Sequence, residues 1–336
     1  MKALISHGPG GPETLVFEDI PQPLPRAGEV LLKVLSVGMN FPDALYIRDL
    51  YQVKMPRPFA PGSEVCGIVE TLGPGTEGLA VGDRVIARCG TGGLAEKVAT
   101  LATRCVKIAP DAPAHEAAAL LLTYTTSYHA LVDCGHVQAG ETLLVLGAAG
   151  GVGSAALDLG RALGARVLAA ASSQEKLDFA LRHGAQDGIV YPGDAASLST
   201  RDSQKTLADQ LKQLVGPHGA DLVYDPVGGP YSEAATRTLR PHGRHLVVGF
   251  TAGIPRLPLN LVLLKRSLIV GVDLRNFSES DPQANARNVQ TIIDLWQAGK
   301  IRPAVSTRFA FEQGAQALVA LESRQALGKL VVDVSS

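Results

Sequence analysis

The sharpest chemical signal in the chain is TLLVLGAAGGVGSAALDLG, residues 142–160. A continuous apolar run (142–147) leads into glycines at 147, 150, 151 and 153 and then into a helical apolar pattern. Glycines there allow a tight turn and close approach of backbone to a pyrophosphate, and a helix N-terminus offers unpaired N–H groups and the positive end of a dipole. Gly150, Gly151, Val152 and Gly153 are therefore candidate dinucleotide contacts. Ala148 replaces the first glycine of the usual GxGxxG spacing. The assignment thus rests on the strand–turn–helix context. The competing reading is a glycine turn needed only for packing.

About twenty residues further on, dinucleotide sites that bond a ribose 2′-hydroxyl carry Asp or Glu. This chain reads AAASSQEKL there, with Ser172, Ser173 and Lys176 and no acid at the strand tip. Hydroxyls and an ammonium suit a 2′-phosphate, which a carboxylate would repel, so the pattern favours NADPH. The plainer alternative is that a serine caps the next helix and Lys176 is a solvated charge.

The surrounding elements fit such a site. TLLVLG, RVLAAA (166–171), GIVY (188–191), DLVYDPVGG (221–229), RHLVVGF (244–250) and SLIVGVDL (267–274) read as buried strands alternating with helical stretches. That alternation specifies a parallel, doubly wound α/β sheet. ASLSTRDSQ (196–204) reads as a polar surface loop. The first 120 residues instead alternate short apolar runs with Gly/Pro turns, as in EVLLKVLSVGMN and EVCGIVETLG. They predict a β-rich, barrel-like unit. Residues 123–274 are assigned to the dinucleotide domain, and 1–122 with 275–336 to the β-rich domain.

The 336 residues carry 31 Lys and Arg against 32 Asp and Glu, a formal charge of -1. That lacks the basic footprint of a nucleic-acid binder. Cys66, Cys89, Cys105 and Cys134 form no CxxC or metal-spaced cluster and read as reduced intracellular thiols. The apolar region 142–171 is broken by glycines and charges, so no membrane span is expected. A soluble cytoplasmic protein follows as the expectation.

The order of β-rich unit, dinucleotide unit and returning tail resembles the medium-chain dehydrogenase/reductase superfamily over essentially the whole chain. GAAGGVG, GMNFPDALYIRDLYQ, PFAPGSEVCGIV and LTYTTSYHAL resemble its quinone oxidoreductase and ζ-crystallin branch. The resemblance implies a Rossmann sheet plus a GroES-like barrel. Zinc alcohol dehydrogenases carry a zinc-ligating Cys where this chain has Asn40, and His where it has Ser63. A structural-zinc lobe of four cysteines is missing as well. Neutral Asn and Ser are poor zinc ligands, so no metal is expected and the acceptor must already be electrophilic, such as a quinone or a conjugated enone.

By the same resemblance Asn40, Asp43, Tyr46 and Tyr51 line the substrate cleft. Asn40, Thr126, Gly249, Phe250 and Lys329 approach the nicotinamide cofactor, Tyr191 lies near the adenosine phosphate, and the protein is a homodimer paired through SLIVGVDL. Bland readings accompany these: Asp43 as a cap, Tyr51 as packing, Lys329 as exposed. His129 and Trp296 read as structure. The rival functions are an enoyl-thioester or alkenal reductase, with Arg48, Lys54 and Arg57 as a basic patch for CoA, and an NADPH-binding sensor or nucleic-acid-associated protein without significant turnover.

Overall fold

A computed structural model describes residues 1–323 and 325–335. The chain divides into two compact units, Met1–Leu122 with Pro303–Ser336, and Thr123–Arg302.

The second unit is built on a sheet of six parallel strands. Across the sheet they run Asp187–Val190, Arg166–Ala171, Thr142–Leu146, Ala220–Asp225, Leu239–Val247 and Leu268–Gly271. The strand Thr142–Leu146 is buried throughout and sits at the centre, flanked by the strands that follow it in either direction of winding. The order reverses between it and Ala220–Asp225, and open parallel sheets bind ligands beyond the carboxyl ends of the strands at such a point. The expected doubly wound sheet is therefore present with all six strands. Residues expected as a surface loop differ. Leu198 is buried, and Thr200 accepts a hydrogen bond from the Ser203 N–H to start the helix Arg201–Val215. Threonine as an N-cap explains why a polar stretch is helical.

The first unit carries a mixed sheet in the order Val305–Ala310, Lys329–Asp333, Glu29–Met39, Glu64–Leu72, Arg84–Arg88 and Cys105–Lys107, with Lys97–Leu101 also paired to Glu29–Met39. Its core holds Leu32, Val34, Val65, Val85, Leu94, Leu330 and Val332. The tail strand Lys329–Asp333 lies antiparallel to Glu29–Met39, so the end of the chain completes the β-rich unit.

The return point corrects the expected boundary. Residues 275–302 group with the dinucleotide unit, and the chain comes back at Pro303. The cause is local packing. Phe277 stacks on His129 at 4.0 Å, and Asn288 donates to Asp133 at 2.7 Å. The helix Pro282–Gln297 buries Ile292, Ile293 and Trp296. Asp158 fixes both ends of the unit, because its Oδ2 accepts from the Tyr124 hydroxyl at 2.9 Å and from the Arg302 N–H at 2.7 Å. The His129 ring also bonds Asp133 at 2.8 Å.

A buried polar network shapes the turn after the fourth strand. Asp225 Oδ1 accepts from the N–H groups of Val227 and Gly228, and Oδ2 faces Ser232 Oγ and, at 3.1 Å, His245 Nε2. Burial works to raise the Asp225 pKa, but His245, Ser232 and the Gly228 N–H prevail and hold it below the ordinary carboxylate value. His245→Ala would strip this buried carboxylate of one partner and leave a cavity. A loss of about 3 kcal/mol in unfolding free energy is expected by urea denaturation. A loss within 0.5 kcal/mol, about the ordinary effect of a surface change, would show that the pair contributes nothing to stability.

Candidate functional site

In the dinucleotide unit, the helix Gly151–Ala162 starts directly after the glycine turn, with Gly150 as a cap that has no side chain. The first-turn N–H groups of Gly151, Val152 and Gly153 have no intrahelical acceptor. They form the positive end of the dipole of a twelve-residue helix. The two readings of the glycines divide between positions. Gly147 turns with φ 56°. A Cβ on Gly153 would run into the Gly147 carbonyl, so Gly153 is required for close helix-to-turn packing. Gly150 meets no such obstacle. Ser127, which the sequence reading passed over, donates to the Val152 carbonyl at 2.9 Å and pairs with the Tyr224 hydroxyl, bracing the first turn from beneath.

At the carboxyl end of the second strand, Ser173 caps the helix Gln174–Arg182 by accepting from the Lys176 N–H. The plain capping role is real for that serine. Ser172 differs, since its hydroxyl lies 3.1 Å from Lys176 Nζ. A hydroxyl and an ammonium thus stand side by side where a ribose-binding acid would be.

Tyr191, which the resemblance sets near the adenosine phosphate, packs beside the glycine turn. It is buried, its ring lies 4.8 Å from that of Tyr231, and the Gly147 backbone hydrogen-bonds its hydroxyl. Burial pushes its pKa up. In this position it supports the glycine turn. Thr126 is half-buried on the helix Leu121–Tyr128. Gly249 follows the fifth strand with its N–H 3.3 Å from the Asp225 carbonyl, and Phe250 beside it is 49% exposed.

The β-rich unit gathers a second set. Lys329 is 2% exposed, which rules out the solvated reading. Its Nζ donates to Asn40 Oδ1 at 2.7 Å, the Met39 carbonyl at 3.1 Å and Glu64 Oε2 at 3.2 Å. Asn40 Nδ2 donates to Glu64 Oε2 at 2.9 Å and to the Gly38 carbonyl at 3.0 Å. Glu64 Oε1 accepts from the Leu122 N–H. The Asn40 amide is therefore held on both its oxygen and its nitrogen by the unit's own groups. Glu64, fully buried on a strand, ties the cluster together. The signal for it was a lone charge inside the otherwise apolar EVCGIV.

Asp43 lies in the first turn of the helix Phe41–Ile47 and accepts from the Asn40 N–H at 2.8 Å, so the capping reading holds. Its other oxygen is sealed from solvent without a well-formed hydrogen bond. Burial raises its pKa to about 6, opposed by the Asn40 N–H, Ser63 and Lys329 and reinforced by Glu64. Tyr46 and Tyr51 meet edge to face at 4.7 Å, both half-buried. Two members of the expected basic patch are committed elsewhere. Arg48 bonds both Glu322 oxygens at 2.6 and 3.0 Å. Arg57 bonds Asp49 and Ser6, each at 2.7 Å.

Asp43 sets a pH dependence of known sign. Its folded pKa lies above the unfolded value, so the folded state keeps a proton that the unfolded chain releases. Stability is lost as pH rises from about 4 through about 6. The full loss is on the order of 3 kcal/mol. Asp43→Asn should remove it. Relative to wild type, the variant should gain about 1–3 kcal/mol between pH 4 and pH 7 in urea titrations. Parallel stability profiles for the two proteins would refute the assignment.

Comparison with known proteins identifies the family. Residues 26–111 match the alcohol dehydrogenase GroES-like domain, and residues 151–290 match the zinc-binding dehydrogenase domain. The chain is 34% identical to quinone oxidoreductase-like protein 2 of Bos taurus, over 95% of this chain and 89% of that protein. It is 31% identical to the quinone oxidoreductase of Homo sapiens, over 92% and 90%. Among solved structures, the quinone oxidoreductase of Thermus thermophilus, determined alone and with NADPH, superposes with a TM-score of 0.81 at 32% identity, over 99% of this chain and 100% of that one. A mycobacterial protein solved with NADPH gives 0.88 at 30%, over the same shares. The chain belongs to the quinone oxidoreductase branch of the medium-chain dehydrogenase/reductase superfamily.

Proposed function

We propose that this protein is an NADPH-dependent, zinc-independent reductase of quinones or other conjugated acceptors. The observation that carries the reading is the Lys329–Asn40–Glu64 cluster. At the position where the zinc enzymes have a thiolate ligand stands a neutral amide whose oxygen already faces a buried ammonium. The amide is engaged by the chain's own ammonium, whose charge Glu64 pairs. An acceptor that needs no Lewis acid suits such a site.

The residues present fit the cofactor. The N–H groups of Gly151, Val152 and Gly153 suit a pyrophosphate, and Ser172 with Lys176 suits a 2′-phosphate. NADPH when bound supplies a hydride from its nicotinamide ring. Tyr46 and Tyr51 are the phenols of the β-rich unit able to return a proton to the reduced acceptor, alongside water. Thr126, Gly249, Phe250 and Tyr191 complete the cofactor side of the reading, Tyr191 as a support for the glycine turn. The enoyl-CoA alternative is weakened because Arg48 and Arg57 are already neutralised. No helix among the described residues is long and apolar enough to cross a membrane.

We also propose a homodimer. The sixth strand is a sheet edge with Leu268 and Ile269 exposed, and the helix before it leaves Leu259, Leu263 and Leu264 about three-quarters exposed. A bare apolar edge of this kind invites pairing. Light scattering should give a dimer at micromolar concentration, and Leu263→Lys should shift it toward monomer. A monomeric wild type would remove the proposal.

Turnover of a panel of quinones, enals and enoyl-CoA esters with NADPH tests the activity, with quinones or enals expected to lead. The cofactor assignment has its own measurement. Lys176→Ala should weaken NADPH binding about tenfold, the scale of one charge-assisted hydrogen bond, and change NADH binding less than twofold. Equal wild-type affinity for the two cofactors would overturn the assignment. Equal weakening of both in the variant would show that Lys176 acts through the fold.

A further inference from the structure

Arg88 ends the strand Arg84–Arg88 and is paired directly across the ladder with Glu64. Residues opposite each other in an antiparallel ladder project to the same face with Cβ atoms about 5 Å apart, so the guanidinium starts beside the Glu64 carboxylate. That carboxylate is already committed. One oxygen takes the Leu122 N–H and the other takes Asn40 and Lys329. The Arg88 side chain accordingly makes no hydrogen bond or ion pair among the described residues, and its guanidinium nitrogens are not sealed from solvent.

Its other neighbours sharpen the point. Tyr46 and Tyr51 lie close enough to act on its charge, and so does Arg104, an exposed arginine that also lacks a hydrogen-bonded partner among the described residues. Burial draws the Arg88 pKa down from its ordinary value, with Arg104 adding to that effect and Glu64 opposing it. Two guanidinium groups brought together without an acid between them repel each other, and the nearer carboxylate is spent. A planar guanidinium matches carboxylate or phosphate oxygens in a two-point fork. Arg48 and Arg57 cannot serve, being held by Glu322 and Asp49.

We infer that Arg88, assisted by Arg104, forms an anion subsite beside the Tyr46–Tyr51 pair, so that the acceptor this enzyme prefers is a conjugated carbonyl compound bearing a carboxylate or phosphate group. The subsite is a specificity element within the β-rich unit. The substrate part of the inference rests on the reductase reading, whereas the anion site itself does not.

The test compares 1,4-benzoquinone with its carboxymethyl derivative under saturating NADPH. The ratio of kcat/KM for the acidic over the neutral quinone is the readout. Arg88→Gln should lower that ratio at least about tenfold, the scale of one lost hydrogen bond to a charged group. Arg88→Lys should recover part of it, and Arg104→Gln, at an exposed position, should cause a smaller fall that vanishes in high salt. An unchanged ratio in Arg88→Gln overturns the inference. If neither quinone is reduced, the reductase reading fails and calorimetric binding of benzoate and inorganic phosphate decides the subsite. Weakening of either anion by about tenfold or more in Arg88→Gln sustains the subsite and shows which chemistry it takes, and equal affinities reject it.

Discussion

A fully buried lysine ammonium is tolerated only where its charge is met and its protons are placed, and the β-rich unit is arranged around that requirement at Lys329. The partners come from distant parts of the sequence: the Met39 carbonyl and Asn40 amide at the end of one strand, and the Glu64 carboxylate at the start of another. Removing Glu64 would leave uncompensated charge in a low-dielectric interior, a far larger penalty than the pair itself gains, and removing the Asn40 amide would leave an ammonium proton without its acceptor. The tail strand is thereby fixed in register against Glu29–Met39, and the first turn of the Phe41–Ile47 helix, which carries Asp43 and Tyr46, is fixed with it.

The dinucleotide unit is governed by shape as much as by charge. Its glycine turn is held close to the following helix by the absence of a side chain at Gly153, from beneath by Ser127, and from the side by Tyr191. None of these three has to touch a phosphate to matter. Each limits where the open N–H groups of Gly151 and Val152 point. The Asp225–His245 pair performs a comparable task at the neighbouring strand end, where successive N–H groups of Val227 and Gly228 are gathered on one carboxylate oxygen.

Local patterns were legible where a single segment decides its own structure. The six strands of the parallel sheet and the glycine turn were readable in short stretches. Features that depend on partners far away in sequence were not. The buried network around Lys329 could not be read, because its bonds run to residues more than 260 positions away. Arg48 and Arg57 looked like a free basic patch, because the acid that takes Arg48 belongs to the returning tail and Asp49 gives no sign of its pairing in sequence. The boundary at 275 was misplaced for the same reason. The helix Pro282–Gln297 has an apolar stripe that would suit either unit, and the Phe277–His129 stack, the Asn288–Asp133 bond and the Arg302–Asp158 bond beyond it assign it. Arg88 reads as an ordinary polar position in an alternating strand until Glu64 opposite it is found to be occupied.

The pinning of Tyr124 and Arg302 to one carboxylate has a bearing on how the chain assembles. Seen from the β-rich unit, residues 123–302 are an insertion separating Leu122 from Pro303. A disordered insertion of that length would impose a loop-closure entropy on every contact between the two outer segments, including the bond from Lys329 to Glu64. Once the inner unit has folded, Asp158 holds its entry and exit together, and the outer segments meet as though joined by a short bridge. The entropy of closing that long insertion is thereby carried by the inner unit's own folding.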